Sequence, residues 1–116
     1  MGVIVMAPLF GGTLANPPQS IWEIWQESGQ KPVDVALRWL WDQPEVSLVL
    51  SGMSTATQLR ENLDNADRSD VGWFDEQERK LVECVQRQYE RLAPIPCTKC
   101  GYCLPCPEGG DIPRLR

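Results

Sequence analysis

The sequence predicts a helix-dominated α/β fold. Two short apolar runs, Gly2–Leu9 and Val46–Leu50, each end at glycine, proline or small residues. Continuous apolar runs of this length are typical of strands buried on both faces in a parallel sheet, and we place strands at 3–7 and 46–50. Four further segments carry apolar residues at helical spacing. Two strands among four helices therefore predict a mixed α/β domain in which helices dominate.

The first two predicted helices follow the first strand. Ser20 and Glu23 form the pattern of a capping box, and Gly29 is placed to end the helix. In the second helix, Pro32 occupies the first turn and Pro44 follows the end. Helically spaced apolar residues line the two helices: Ile21, Trp22, Ile24, Trp25, Val33, Ala36, Leu37, Leu40 and Trp41.

The last two predicted helices follow the second strand. The third carries Leu59, Leu63 and Ala66, and Asp75 with Glu78 caps the longer fourth helix. Five side chains of the fourth helix are expected to face inward: Leu81, Val82, Val85, Tyr89 and Leu92. Cys84 lies among them and is expected to be buried in the packing, since free cysteine is among the most buried residue types.

Composition limits the classes of function. The chain has 116 residues, enough for one domain, with five tryptophans and a formal net charge of −5. A negative chain with scattered Lys and Arg is not expected to bind nucleic acid. No apolar run reaches membrane-spanning length, and the N-terminus lacks the features of a signal peptide. Cysteines that hold a metal suit a reducing compartment, so we expect a cytoplasmic protein.

Four of the five cysteines lie in one short run at every third position: Cys97, Cys100, Cys103 and Cys106. Converging thiolates need a cation, so the run predicts a metal site. The close spacing is that of a ferredoxin loop around a 4Fe–4S cluster, although Cys106 comes one residue early for that pattern. Zinc is the alternative, although its cysteine pairs are normally further apart. Disulfides or free thiols remain a third interpretation, and Cys84 is an alternative fourth ligand.

The turn between the second strand and the third helix is a second candidate site. Gly52, Ser54 and Thr55 precede the helix, where free backbone N–H groups and the helix dipole favour a phosphate. A plain helix N-cap at Ser54 or Thr55 explains the same residues.

Three stretches together resemble the C-terminal third of an aldo-keto reductase. Residues 6–12, Met-Ala-Pro-Leu-Phe-Gly-Gly, resemble the end of that family's seventh barrel strand and the following loop. Residues 52–62 match the Gly-x-Ser-x-x-x-Gln-Leu-x-Glu-Asn pattern of its last strand-to-helix segment. Residues 97–113 resemble the tail of the prokaryotic branch with a ferredoxin-like terminus. The resemblance implies a partial TIM barrel of the last two β/α units at 1–93, and a loop-rich, metal-binding cysteine tail at 94–116.

The same resemblance implies a site for NADP or NAD in the intact enzyme. Pro8, Leu9 and Gly11 would lie along the pyrophosphate. The adenosine-side phosphate would meet the turn formed by Gly52, Met53 and Ser54. The ribose phosphate and adenine would contact three side chains of the following helix: Gln58, Glu61 and Asn62. Many relatives carry an arginine at the position of Gln58, which leaves the choice between NADP and NAD open.

The resemblance also implies a catalytic set of Asp, Tyr, Lys and His from earlier strands. The chain has no histidine, and its tyrosines, Tyr89 and Tyr102, lie elsewhere. A complete TIM barrel needs about 250 residues. We therefore expect a truncated product, an expressed fragment or a remnant that is not catalytic alone and binds NADP(H) weakly or not at all. Exposed tryptophans such as Trp22 or Trp39 would mark the surface that meets the missing barrel.

Two functions from different classes follow from these patterns. The first is an oxidoreductase module whose cluster relays electrons, with the missing N-terminal barrel or an electron-transfer protein as partner. The second is a non-catalytic metal-binding domain in which iron–sulfur or zinc staples a small fold.

Overall fold

A computed structural model describes residues 1–92 and 101–111 of the chain. Within them, two strands and four helices follow one another in the order predicted from the apolar pattern. They are β1 (Val3–Met6), α1 (Gln19–Ser28), α2 (Pro32–Trp41), β2 (Val46–Leu50), α3 (Ala56–Asp67) and α4 (Glu76–Leu92). The prediction of a helix-dominated α/β fold is confirmed.

The two strands pair in parallel. Ile4 lies opposite Leu48 and Met6 opposite Leu50, with an irregularity in the register near the start of β1. The strand predicted at 3–7 ends one residue early, because Ala7 adopts a φ of 51°. That left-handed backbone cannot continue a strand.

The described residues leave one face of this small sheet uncovered. Ile4, Met6, Leu48 and Leu50 share it, because side chains alternate along a strand and paired residues point to the same side. Their exposed fractions are 59%, 75%, 48% and 47%. The prediction that both strands are buried on both faces is therefore wrong for these residues. In the described part of the chain, the helices pack against the other side of the sheet, where Val49 and Leu37 both line a small cavity.

The hydrophobic core lies between α1, α2, α4 and the segment before α4. Ile21 and Val35 are fully buried at its centre. Trp25, Phe74 and Val85 complete the buried cluster. The most buried residue of α2 in this cluster, Val35, falls outside the predicted apolar stripe, because α2 packs against α3 and β2 on one side and contributes to the core on the other.

The helix ends agree with the prediction at three positions. Gly29 ends α1 with a φ of 69°, a left-handed conformation that glycine adopts without strain. Pro32 stands in the first turn of α2. At the start of α4, Asp75 accepts a hydrogen bond from the N–H of Glu78 at 2.7 Å, and the Glu78 carboxylate accepts one from the N–H of Asp75 at 3.2 Å.

The capping box predicted at Ser20 and Glu23 is wrong. Helix α1 begins earlier, at Gln19, and the carbonyl of Pro18 accepts hydrogen bonds from the N–H groups of Ile21 and Trp22. Ser20 therefore lies inside the first turn and cannot act as its cap. The Glu23 carboxylate instead accepts a hydrogen bond from the Gln19 side chain at 3.3 Å.

A buried polar network joins α2 to α4. One oxygen of the Asp42 carboxylate accepts hydrogen bonds from the N–H groups of Gly72 and Phe74, at 2.8 and 3.2 Å. The other oxygen pairs with the Arg79 guanidinium at 2.8 Å. Burial opposes ionisation of Asp42, but these hydrogen bonds and the positive charge outweigh it and lower its pKa. An ion pair between Arg38 and Glu78 adds a second link.

Several apolar residues of the helices are exposed. Trp22 and Trp39 are 38% and 43% exposed, as predicted. Leu92 was predicted to face inward and is 48% exposed, whereas Tyr89, one turn earlier, still packs against the core. Cys84 is also exposed, so its predicted packing role is wrong. It falls on the outer side of α4, between the inward-facing Leu81 and Val85. Within the described residues, the helices are too short or too polar to cross a membrane.

Candidate functional site

Two loops meet beyond the carboxyl ends of the strands. The first, at 7–16, follows β1, and the second, at 51–55, follows β2. Because the strands are parallel neighbours, both loops leave the same edge of the sheet, and crevices at such edges are where β/α proteins bind ligands. The loops, together with the start of α2 and part of α3, enclose a cavity of about 350 Å³.

This cavity collects most of the residues predicted to bind a dinucleotide. Its lining includes Pro8, Leu9 and Gly11 from the first loop, and Gly52, Met53, Gln58 and Asn62 from the second loop and α3. The other two predicted residues, Ser54 and Glu61, lie outside the lining. The structure thus brings together two segments that are far apart in the sequence.

The first loop is a tight succession of turns. The N–H of Phe10 donates to the carbonyl of Ala7 at 2.9 Å, and that of Gly12 to Leu9 at 3.0 Å. Gly11 and Gly12 have φ values of 64° and 87°. A Cβ atom at either position would meet nothing within 4 Å. Glycine is therefore required here for the backbone conformation and not for space, and it keeps the loop surface open to the cavity.

The second loop is held by the side chain of Gln58. Its oxygen accepts hydrogen bonds from the N–H groups of Ser54 and Thr55, at 2.9 and 3.3 Å, and lies 3.3 Å from the Ser54 hydroxyl. In return, the Thr55 hydroxyl accepts a hydrogen bond from the N–H of Gln58 at 3.2 Å. This capping box makes Thr55 the N-cap of α3, as the alternative interpretation of the turn predicted.

The remaining predicted residues of α3 make distinct contacts. Asn62 donates a hydrogen bond of 3.2 Å to the Ser51 hydroxyl, which fixes the end of β2 against the helix. Glu61 pairs with Lys31 at 3.1 Å, with side chains 47% and 67% exposed. The hydrogen bond to Glu61 and the negative charges of Glu61 and Asp34 raise the pKa of Lys31. A pair this exposed contributes little to stability.

The cysteine tail is described in part. Cys97 and Cys100 lie outside the described residues, whereas Cys103 and Cys106 are half-buried free thiols. The N–H of Gly109 donates to the carbonyl of Cys106 at 3.0 Å, and a Cβ atom at Gly110 would stand 3.7 Å from the Cys106 sulfur. Over residues 1–92 and 101–111, three or more metal-ligating side chains do not come together. The metal site therefore stays a prediction.

Neither tyrosine belongs to the cavity at the strand ends. Tyr89 packs against the helical core, and its hydroxyl is buried with no hydrogen-bond partner in the described part of the chain. Burial raises the pKa of this phenol. Tyr102 lies in the cysteine tail and is 94% exposed. Among the described residues, the crevice therefore contains no tyrosine that could act as a general acid.

The sequence analysis missed several residues of this site. Ser51, Asn16 and Val33 line the cavity but belong to none of the motifs. The cap formed by Thr55 and Gln58 could have been predicted, because the two residues have the spacing of a capping box.

Parallel β/α units with a ligand-binding crevice at their carboxyl edge occur both in β/α barrels and in doubly wound α/β proteins. Comparison with family models decides between them, because the model of the aldo/keto reductase family matches residues 2–79. The chain belongs to the aldo/keto reductase family. No curated protein matches it.

Proposed function

We propose that this chain supplies the nucleotide-binding end of a nicotinamide-dinucleotide-dependent oxidoreductase. The observation that supports the proposal is the single cavity formed by the loops after β1 and β2. Family membership gives this crevice its expected ligand, since members of this family are oxidoreductases that bind NAD or NADP. The cavity volume of about 350 Å³ suits part of a dinucleotide.

Each side of the cavity has its own proposed role. The backbone of Pro8, Leu9 and Gly11 runs along the pyrophosphate, where the missing glycine side chain lets the ligand approach. Gly52 and Met53 meet the adenosine-side phosphate, with Ser54 at the rim. Three side chains of α3 contact the ribose and adenine: Gln58, Glu61 and Asn62.

The catalytic residues of the reaction come from outside this chain in our proposal. The sequence contains no histidine, and both tyrosines lie away from the cavity. The uncovered sheet face gives the place where the rest of a barrel would join, since parallel strands are normally covered on both faces. A polypeptide that supplies the other β/α units is therefore the partner that we propose.

We also propose that the tail binds a 4Fe–4S cluster through Cys97, Cys100, Cys103 and Cys106. The half-buried thiols of Cys103 and Cys106 are suitable donors. Such a cluster transfers single electrons when bound.

Titration of the isotope-labelled chain with NADH, followed by NMR, tests the nucleotide site. We expect shifts in the amide signals of Gly11, Gly12 and Gly52, with a dissociation constant of about 1 mM because only part of a complete site is present. Gly52→Val should abolish the shifts, since a larger side chain enters the cavity while nothing within 4 Å opposes a Cβ atom. Ala56→Val, on the exposed start of α3, is the matched control and should bind as the wild type does. Absence of shifts in the folded wild-type chain would contradict the proposal.

Metal analysis of protein purified without oxygen tests the tail. We expect iron and acid-labile sulfide at about four each per chain. Cys103→Ser should lower both, whereas Cys84→Ser should leave them unchanged, since Cys84 is exposed on α4. A result of about one zinc per chain, with no sulfide, would contradict the cluster and indicate a structural zinc site.

A further inference from the structure

A separate cavity, of about 370 Å³, lies between α1, α2, α4 and the loop after β1. Its volume falls within the range of about 300–1,000 Å³ that is typical of sites for small molecules. Among the described residues, it shares only Pro8 with the cavity at the strand ends. A molecule bound here would therefore occupy a different site from the proposed nucleotide.

The walls of this cavity are apolar and aromatic. Trp25 comes from α1, Trp39 from α2 and Tyr89 from α4. The buried side chains of Val35 and Val85 connect the cavity to the hydrophobic core. Among the described residues, the lining contains no aspartate, glutamate, lysine or arginine. An ionised ligand would lose its hydration here without gaining an oppositely charged partner, so the walls favour an uncharged ligand.

The hydroxyl of Tyr89 is a polar group of this wall that lacks a partner. It is buried and makes no hydrogen bond within the described part of the chain. Burial raises the pKa of this phenol, so it keeps its proton at neutral pH and can donate. A buried donor without an acceptor carries a free-energy cost, which an acceptor oxygen of a ligand would remove. The Gln86 amide, by contrast, already donates to Glu90 at 3.3 Å.

We propose that this cavity binds an uncharged aromatic molecule of one or two rings that carries a hydrogen-bond acceptor oxygen. The rings pack against the indoles of Trp25 and Trp39, because aromatic side chains supply large apolar contact areas to flat ligands. The oxygen accepts the hydrogen bond that Tyr89 leaves unmade. Trp39 is 43% exposed, so the cavity is open to solvent on the side of α2 and the ligand has a way in.

Two probes with the same rings test the class of ligand. The chain is titrated with 2-naphthol, which is uncharged at neutral pH, and with 2-naphthoate, which is an anion. We expect 2-naphthol to shift the amide signals of Ala36, Trp39 and Tyr89 with a dissociation constant of about 0.1–1 mM. The anion should bind at least about tenfold more weakly, because the walls offer it no cation. Equal affinity for the two probes, or no shifts with either, would overturn the proposal.

Removal of the phenol hydroxyl tests the polar contact. Tyr89→Phe should weaken the binding of 2-naphthol by about fivefold, the ratio expected for one lost hydrogen bond. It should not lower the urea midpoint of the free chain, because the hydroxyl has no partner there among the described residues. Tyr102→Phe makes the same change at a position that is 94% exposed and is the matched control. Unchanged affinity in Tyr89→Phe would overturn the role of the phenol.

Filling the cavity tests where the probe binds. Ala36→Phe adds a ring inside the lining and should abolish the shifts caused by 2-naphthol. Ala56→Phe, at the exposed start of α3, is the control and should bind as the wild type does. Undiminished binding in a folded Ala36→Phe chain would contradict this location.

A second copy of the chain is the other candidate occupant of the cavity. In that case, the signals of Ala36 and Trp39 would shift with protein concentration in the absence of any probe. Such shifts, together with no response to 2-naphthol, would overturn the small-molecule site and assign the cavity to self-association.

Discussion

The helical core and the outer face of the sheet contain similar apolar residues in opposite surroundings. Ile21 is fully buried between α1 and its neighbours, whereas Ile4 on the sheet is 59% exposed. Three helices and the segment around Phe74 enclose the core, but the described residues leave the outer sheet face bare. The apolar residues of the helical side are therefore removed from water by the described part of the chain, whereas those of the outer sheet face are not.

The largest expected effect comes from the same substitution made on the two sides. Ile21→Ala should destabilise the chain by about 2–5 kcal/mol, because it leaves a cavity in the core. Ile4→Ala should change the free energy of unfolding by less than about 0.5 kcal/mol, because Ile4 is 59% exposed and its removal leaves no closed cavity. Urea unfolding of both variants measures the difference. An equal loss of unfolding free energy in the two variants would contradict this difference, because it would show that Ile4 is also packed in a closed core.

The link between α2 and α4 should have the next largest effect. Asp42→Asn should cost about 1–2 kcal/mol at neutral pH, because it removes the charge that pairs with Arg79 and strengthens two buried hydrogen bonds. Asp64→Asn, on the exposed surface of α3, is the control and should have little effect.

The stability difference between the wild type and Asp42→Asn should depend on pH. The folded state lowers the pKa of Asp42 below its ordinary 3.8, so its contribution is complete above that value and is lost as pH falls through the folded pKa. The gap in stability between wild type and Asp42→Asn should therefore close below pH 3.8. A gap that remains constant through acid unfolding would contradict this account.

The cap of α3 gives a smaller effect near the proposed nucleotide site. Thr55→Ala should cost about 1 kcal/mol, because it removes the acceptor for the N–H of Gln58. Thr57→Ala changes the same residue type two positions along the helix, outside the cap, and should be neutral or slightly stabilising. Thermal unfolding followed by circular dichroism distinguishes the two. Identical behaviour would mean that the hydroxyl of Thr55 contributes no cap.

The smallest effect on stability should accompany a large effect on association. Ile4→Lys places a charge on the uncovered sheet face and should leave the free energy of unfolding within about 0.5 kcal/mol. It should also reduce concentration-dependent self-association, since apolar faces and free strand edges promote it. Sedimentation velocity measures this, with Val71→Lys, at an exposed position far from the strands in sequence, as control. Unchanged self-association of Ile4→Lys would show that this sheet face does not mediate it.

The sequence predicted helix ends correctly where a single capping or breaking residue determines them. Gly29, Pro32 and the pair formed by Asp75 and Glu78 have the predicted roles, because caps and breakers act within a single turn. The start of α1 was misplaced, because the carbonyl of Pro18 binds the first free N–H groups and thereby replaces a side-chain cap.

Burial was harder to predict than element type. Cys84 and Leu92 follow the apolar pattern of α4, yet both are exposed, because the partners of a helix face are set by the tertiary arrangement. The strands illustrate the same limit, since an apolar run indicates that a strand is meant to be covered but not which element covers it. For the site, the motif resemblance predicted most of the cavity lining. The hydrogen bond from the N–H of Ser54 to the Gln58 side chain was not predicted, because it depends on the rotamer that Gln58 adopts.

The pairing of β1 with β2 also determines the order in which this chain can acquire structure. Val3 can find Val46 only after both intervening helices have been made, so the first strand emerges from the ribosome long before its neighbour exists. Contacts distant in sequence form slowly, whereas α1 and α2 can form from local contacts alone. The pairing of β1 with β2 therefore waits for the two helices between them, and we expect it to form after α1 and α2 have begun to fold.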